Sequence, residues 1–104
     1  HLTLGQLVRM AIVNPAKIVS FYPRKGAIQV GADADLVVVD MKKEKTLTEK
    51  HVYSKVGWTP YEGRRVRGVP VMTIRRGEII MENGEVFGKP GTGKFVAPIR
   101  ERAR

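Results

Sequence analysis

Apolar residues along this chain change their spacing partway, and the change separates two kinds of structure. Leu4, Leu7, Val8, Ala11 and Ile12 recur at helical intervals. Thr3 and Gln6 stand at the spacing of a capping box, with Thr3 as the N-cap. This helix is expected to stop near Val13, because Asn14 precedes Pro15 and a residue before proline disfavours the α region. Asn14 is then expected to cap a second short helix with Pro15 at its first position. Ala16, Ile18, Val19 and Phe21 carry that turn or two, and Pro23 ends it. From Gly26 onward the helical period is gone. Ala27 to Val30 reads as a strand, and Gly31 to Ala34 as a tight turn. Leu36 to Val39 is a continuous apolar run, as expected of a strand buried on both faces, and Asp40 closes it.

The second half reads as short strands and turns. Met41 to Lys50 is polar and basic, which predicts a loop, and His51 to Val56 predicts a short strand. Gly57 to Gly63 is irregular, with Trp58, Pro60 and Tyr61 to pack it. Val69 to Arg75 alternates as a strand does, and Arg76-Gly77 suits a hairpin turn into Glu78 to Glu82. Asn83-Gly84 is the strongest short hairpin signal in the chain, and Glu85-Val86 resumes a strand after it. Gly88 to Gly93 reads as a flexible connection and Phe95 to Arg104 as a frayed tail. No internal repeat is visible. The fold class expected is α+β: mainly antiparallel β with an N-terminal helical lead-in.

Composition limits the size of that fold. One hundred and four residues make one small domain at most. A hydrophobic fraction of 42% is that of a folded protein rather than a disordered tail. At this size only about 60–70% of the unfolded surface is buried, so strands missing from a sheet would be felt. The first residue is His1, and a helix begins almost at once, which suggests a chain entered partway. There is no cysteine, which excludes a disulfide framework and a thiolate zinc site. No apolar run approaches the roughly 20 residues of a membrane span. With no secretory pattern at the start, cytoplasm is the expected location.

Charge raises a second question. The chain carries 19 Lys and Arg against 10 Asp and Glu, a net charge of +9. Such a balance can mark a nucleic-acid binder, and a basic β module of that kind is one alternative. The bases are scattered, however, from Arg9 and Lys17 to Arg100, Arg102 and Arg104. The aromatics Phe21, Tyr22, Tyr53, Trp58 and Tyr61 do not alternate with them as a stacking platform would. A solvated surface is the simpler reading.

Candidate chemistry is sparse. A catalytic zinc takes three protein ligands, usually histidines and carboxylates. The two histidines, His1 and His51, lie far apart in sequence and in no ligand motif. Asp33 and Asp35 read as turn acids that accept backbone N–H groups. Ser54 lies three residues from His51 without a carboxylate to orient a dyad. Gly88 to Lys94 fits the first seven positions of the phosphate-loop pattern G-x-x-x-x-G-K-[ST]. Phe95 stands where the hydroxyl is needed, and Pro98 follows where a helix should run, so a nucleotide loop is not expected.

Two blocks carry a resemblance. The first is Asn14 to Asp40, N-P-A-K-I-V-S-F-Y-P-R-K-G-A-I-Q-V-G-A-D-A-D-L-V-V-V-D. It resembles the junction, in cyclic amidohydrolases, where the last barrel helix hands over to a small β-sandwich. That group includes dihydroorotases, hydantoinases and allantoinases. Tyr22 to Gly26 within it looks hydantoinase-like. The second block, Ser54 to Gly63 followed by Gly68 to Gly77, looks more like dihydroorotase; hydantoinases tend to carry Asn-Ala where Thr59-Pro60 stands. The resemblance implies a C-terminal segment. Residues 1–22 would be the last helical segment of a TIM-like barrel, and residues 23–104 strands and tail of a composite β-sandwich. The parent would be a dihydroorotase-like enzyme of pyrimidine biosynthesis that interconverts carbamoyl-aspartate and dihydroorotate. A hydantoinase, dihydropyrimidinase or allantoinase is the alternative. The resemblance further implies two zinc ions in the parent and none on this segment, which would be inactive alone. Its partners would be the missing N-terminal part of the same protein, a small cyclic amide and further copies in a homo-oligomer, with no membrane. One family position maps here: the asparagine of the N-P-A motif, Asn14, would help to hold the cyclic amide.

Overall fold

The computed structural model describes residues 2–99; His1, read above as the chain's opening residue, and the tail bases Arg100, Arg102 and Arg104 lie outside the described residues. These residues form an N-terminal helix and a four-stranded sheet whose strands lie side by side in chain order. They divide into two compact units. Among the described residues the first comprises residues 2–35, Arg75–Glu78 and 88–99; the second comprises Leu36–Ile74 and Ile79–Phe87.

In the first unit the helix begins as its sequence requires. The Thr3 hydroxyl accepts from the Gln6 N–H at 3.2 Å, and the Gln6 side chain accepts from the Thr3 N–H at 2.9 Å. The chain is α-helical at Leu4–Val8 (α1) and at Asn14–Ile18 (α2). Between them Arg9–Val13 forms a π-helical turn, so there is no break. Asn14 has φ −62° and ψ −46°, and its N–H reaches the Arg9 carbonyl five residues back. The expected stop at Val13 is therefore wrong, and so is the cap role of Asn14. Proline inside a helix removes one hydrogen bond and crowds the carbonyl four residues before it. A widened π turn directly ahead of Pro15 is one way for a helix to absorb that demand. The helix ends at Ile18, before Pro23, and the chain reverses through Ser20 with φ 62°. Ala16 is buried at 7% exposure, and the Phe21 and Tyr22 N–H groups both return to its carbonyl. Ala27 to Val30, expected as a strand, is irregular; Ile28 and Val30 are fully exposed and gain nothing from a ladder. The Ile99 N–H donates to the Ser20 carbonyl at 2.7 Å, which ties the later chain to the end of the helix.

In the second unit β1 (Leu36–Thr46) pairs antiparallel with β2 (Arg65–Arg75). Both strands are longer than their apolar runs. Asp40 does not close β1. Its carboxylate accepts from the N–H groups of Lys42 at 3.0 Å and Lys43 at 3.2 Å, at the register shift between Asp40 and Glu44. Asp40 thus caps a bulge, and the basic stretch beyond it resumes pairing rather than forming a loop. Glu49–His51 is a single 3-10 turn, and no strand follows it through Val56. β3 (Glu78–Glu82) lies beside β2 and pairs with β4 (Glu85–Val86). Both predicted hairpin turns are present. Arg76 and Gly77 have φ 46° and 81°, and Asn83 and Gly84 have φ 50° and 83°, the doubly positive pattern of type I′ turns.

Burial is the largest departure from expectation. Val37, Val38 and Val39 were expected to be covered on both faces but are 57%, 46% and 42% exposed. Val69 is the one buried hydrophobic residue in this unit among the described residues.

Candidate functional site

Asn14 stands at the first position of α2, exposed, immediately after the π turn. Its backbone is committed to the helix. Its side-chain amide has no hydrogen bond among the described residues. Both the donor and the acceptor ends of that amide remain available for another group.

Beyond the helix the structure assembles a charged cluster in the same unit. Asp33 Oδ2 takes Arg24 Nε at 3.0 Å and Lys25 Nζ at 2.9 Å. Lys25 Nζ also reaches Asp35 Oδ2, whose other oxygen accepts the Arg76 N–H at 2.8 Å. Asp35 therefore behaves as the expected turn acid, whereas Asp33 is held by side-chain cations. The Gly77 N–H bonds the Ala34 carbonyl at 3.0 Å beside it. These contacts fasten the loop before β1 to the β2–β3 turn. They also shift protonation. The hydrogen bond from Lys25 holds Asp33 below the ordinary 3.8. Burial pushes Asp35 up, but the Lys25 bond and then the Arg76 N–H outweigh it, so its net shift is also downward. Lys25 is raised above 10.5, first by Asp33 and then by Asp35.

The sign of the pH dependence follows. Depressed carboxylates contribute stability that is present above their unfolded pKa and is lost as pH falls through the folded one. A raised lysine contributes below its unfolded pKa and loses that contribution as pH rises through the folded one. Melting temperature should therefore drop by a few degrees below about pH 4, and Asp35→Asn should flatten that acid limb. Thermal melts from acid to neutral pH check this; an unchanged acid limb in Asp35→Asn would remove the cluster from the account. The effect is modest because the groups remain partly open to solvent.

The other candidates resolve differently. His51 Nδ1 accepts the Thr48 N–H at 3.2 Å, which makes His51 part of a turn-capping pair. It borders a depression of about 300 Å³ with Lys43, Lys45, Pro70 and Asn83. Ser54 has no hydrogen bond to His51, so the sequence neighbours form no dyad. Gly88 to Lys94 is followed by coil rather than a helix, so it presents no helix N-terminus to a nucleotide. No group of three or more His, Cys, Asp or Glu side chains converges among the described residues. No described helix is long and apolar enough to cross a membrane.

A profile described as the amidohydrolase family matches residues 1–80. The chain belongs to the amidohydrolase family. Over 95 residues it is 47% identical to the dihydroorotase of Pyrococcus horikoshii, which covers 91% of this chain and 22% of that protein. It is 39% identical over 96 residues to the D-hydantoinase of Geobacillus stearothermophilus, covering 92% of this chain and 20% of that protein. The solved L-hydantoinase (dihydropyrimidinase) from Arthrobacter aurescens superposes with a TM-score of 0.88 at 38% identity, over 92% of this chain and 21% of that one. The amidohydrolase chain thus spans 22% and 20% of the length of those curated relatives. Amidohydrolases generally depend on a metal. The described residues do not fit a catalytic zinc centre, because no three ligand side chains meet. The turn acid Asp35 is expected from the sequence, but its partners Lys25 and Arg76 and the Arg24–Asp33 pair are not. Two adjacent basic residues facing two acids across a glycine turn were the available signal.

Proposed function

We propose that this chain is the C-terminal segment of a dihydroorotase-like hydrolase of cyclic amides. The observation that carries this reading is 47% identity to a dihydroorotase across 91% of the chain, at 22% of that protein's length. In this reading residues 1–22 are the last helical segment of a barrel, and residues 23–104 contribute strands and tail to a composite β-sandwich. The exposed valines of β1 support it, since strands from the N-terminal part of the same protein would cover them. The parent interconverts carbamoyl-aspartate and dihydroorotate in pyrimidine biosynthesis, in the cytoplasm, as a homo-oligomer with two zinc ions held upstream. Nucleic acid is not a partner in this reading, and the reacting groups lie outside the segment. Turnover of dihydroorotate by the complete protein, in excess of hydantoin and dihydrouracil, is the expected result. Turnover of hydantoin without dihydroorotate would replace this reading with the hydantoinase one, which the TM-score of 0.88 to a hydantoinase favours.

Asn14 is the residue of this segment that meets substrate in the proposal. Its amide donates to or accepts from the cyclic amide at the rim of the pocket. Because Asn14 caps no helix, Asn14→Ala removes the amide without removing a cap. The expected result in the complete protein is a fall in kcat/KM of roughly tenfold or more, about 1.4 kcal/mol, with melting temperature unchanged. Asn14→Asp should lose the same activity if the amide donates, since a carboxylate only accepts. Unchanged kinetics in Asn14→Ala would take Asn14 out of the pocket.

A further inference from the structure

The Gly88–Lys94 loop is a motif that the proposed hydrolase does not use, and two consecutive arginines close on it. Arg75 Nη2 donates to Thr92 Oγ1 at 2.6 Å, and Arg76 Nη2 donates to the Thr92 carbonyl at 2.7 Å. The Thr92 hydroxyl itself donates to the Lys89 carbonyl at 2.8 Å. The Nε of Arg75 is buried and has no hydrogen-bond partner among the described residues. Buried polar groups are almost always satisfied, so this one calls for an explanation. Nε–H and Nη2–H lie along one edge of a guanidinium, the edge that takes two oxygens of one anion in parallel. A single hydroxyl oxygen occupies only half of that edge. The charge around it is favourable. Lys89 and Lys94 lie in the loop, and residues 88–99 contain no Asp or Glu. Asp35 is engaged by Lys25 and by the Arg76 N–H, Asp33 by Arg24 and Lys25, and Glu78 follows Arg76 by two positions in the chain.

We propose that Arg75, Arg76 and the Gly88–Lys94 loop form a binding site for a phosphate-class oxyanion, two of whose oxygens take the Nε/Nη2 edge of Arg75. The anion displaces the Thr92 hydroxyl. Gly91, with φ 80°, and Gly93 flank Thr92 and let it turn aside. The ligand is a single phosphoryl group, either inorganic phosphate or a small phosphomonoester, because the coil after Lys94 offers no helix N-terminus for a longer phosphate chain. The site stands independently of the hydrolase reading.

Titration calorimetry of the complete protein tests it, with inorganic phosphate and glycerol phosphate in separate arms and chloride holding ionic strength constant. Saturable binding of one anion per chain is expected, and the tighter arm identifies the source. Arg75→Lys keeps the charge but loses the fork, and should weaken binding tenfold or more. Lys43→Ala, at the separate depression beside His51, should change nothing. Thr92→Val removes the competing hydroxyl and should tighten binding, which keeps the test sharp if Arg75→Lys fails to fold. No saturable binding, equal binding of acetate, full affinity in Arg75→Lys, or unchanged or weaker affinity in Thr92→Val would each overturn the site.

Discussion

The 104-residue chain on its own is expected to turn over neither dihydroorotate nor hydantoin, even with zinc supplied. Hydrolysis of an amide at neutral pH needs an activated water, which a catalytic metal provides by lowering its pKa. Such a metal takes three protein ligands. The described residues bring no three together. The side chains that look available are already engaged. His51 Nδ1 accepts the Thr48 N–H at 3.2 Å, and Asp33 and Asp35 share Lys25. Asn14, a neutral amide, cannot generate a nucleophile. Relative to the complete protein, the loss should be on the order of a millionfold or more, the whole of the chemical acceleration. The measurement is turnover by the purified chain beside the complete protein, each with zinc and with a chelator. Zinc-dependent turnover by the chain, absent from a mock preparation, would show that an engine is present after all.

What the sequence revealed of the fold depended on how local the signal was. The capping box of Thr3 and Gln6 and the two I′ turns at Arg76-Gly77 and Asn83-Gly84 are decided by neighbouring residues, and they formed as read. Asn14-Pro15 is also local, yet it misled. The pre-proline preference costs little beside a whole helix, and one π turn at Arg9–Val13 absorbed it. β1 was cut short at Asp40 because a polar, basic stretch follows. The bulge that Asp40 caps is an event of pairing with β2, and periodicity in one strand cannot carry it. The apolar run Leu36 to Val39 was read correctly as strand and wrongly as buried. Its composition is that of a two-sided buried strand, whereas Val37 is 57% exposed.

The sites follow the same division. Asn14 is proposed from a motif, and its side-chain amide has no hydrogen-bond partner among the described residues. The Arg24, Lys25, Asp33 and Asp35 cluster joins to Arg76 across more than forty positions, which no spacing rule reaches. Arg75 and Arg76 against Thr92 are likewise a meeting of strand end and later loop. In each case the charged residue is visible in the sequence, and its partner is set by the hairpin that returns the chain.

Gly26→Ala should be the most destabilising small substitution in the first unit. Gly26 has φ 85°, and a Cβ there would lie 2.7 Å from the Ala16 Cβ and 3.3 Å from the Ile12 carbonyl oxygen. Two costs add. A left-handed backbone disfavours a side chain by roughly 1–2 kcal/mol, and an overpacked contact costs about 1–3 kcal/mol more. The expected loss is therefore about 2–5 kcal/mol. The Ala16 contact cannot relax easily, because Ala16 sits on α2 and its carbonyl already receives the Phe21 and Tyr22 N–H groups. Gly31 provides the control: its φ is 91°, but nothing lies within 4 Å of an added Cβ. Gly31→Ala should cost only the backbone part. Denaturant melts of the complete protein measure both, and Gly26→Ala should exceed Gly31→Ala by at least about 1 kcal/mol. Ala16→Gly removes the opposing methyl at the expense of helix propensity. In the double variant Gly26→Ala with Ala16→Gly, the two losses should fall short of adding, because Ala16→Gly removes the methyl that the new Cβ at position 26 would strike. Additive losses, or equal costs at Gly26 and Gly31, would mean that the turn after the helix is not packed against Ala16 in the way that fixes how the chain leaves it.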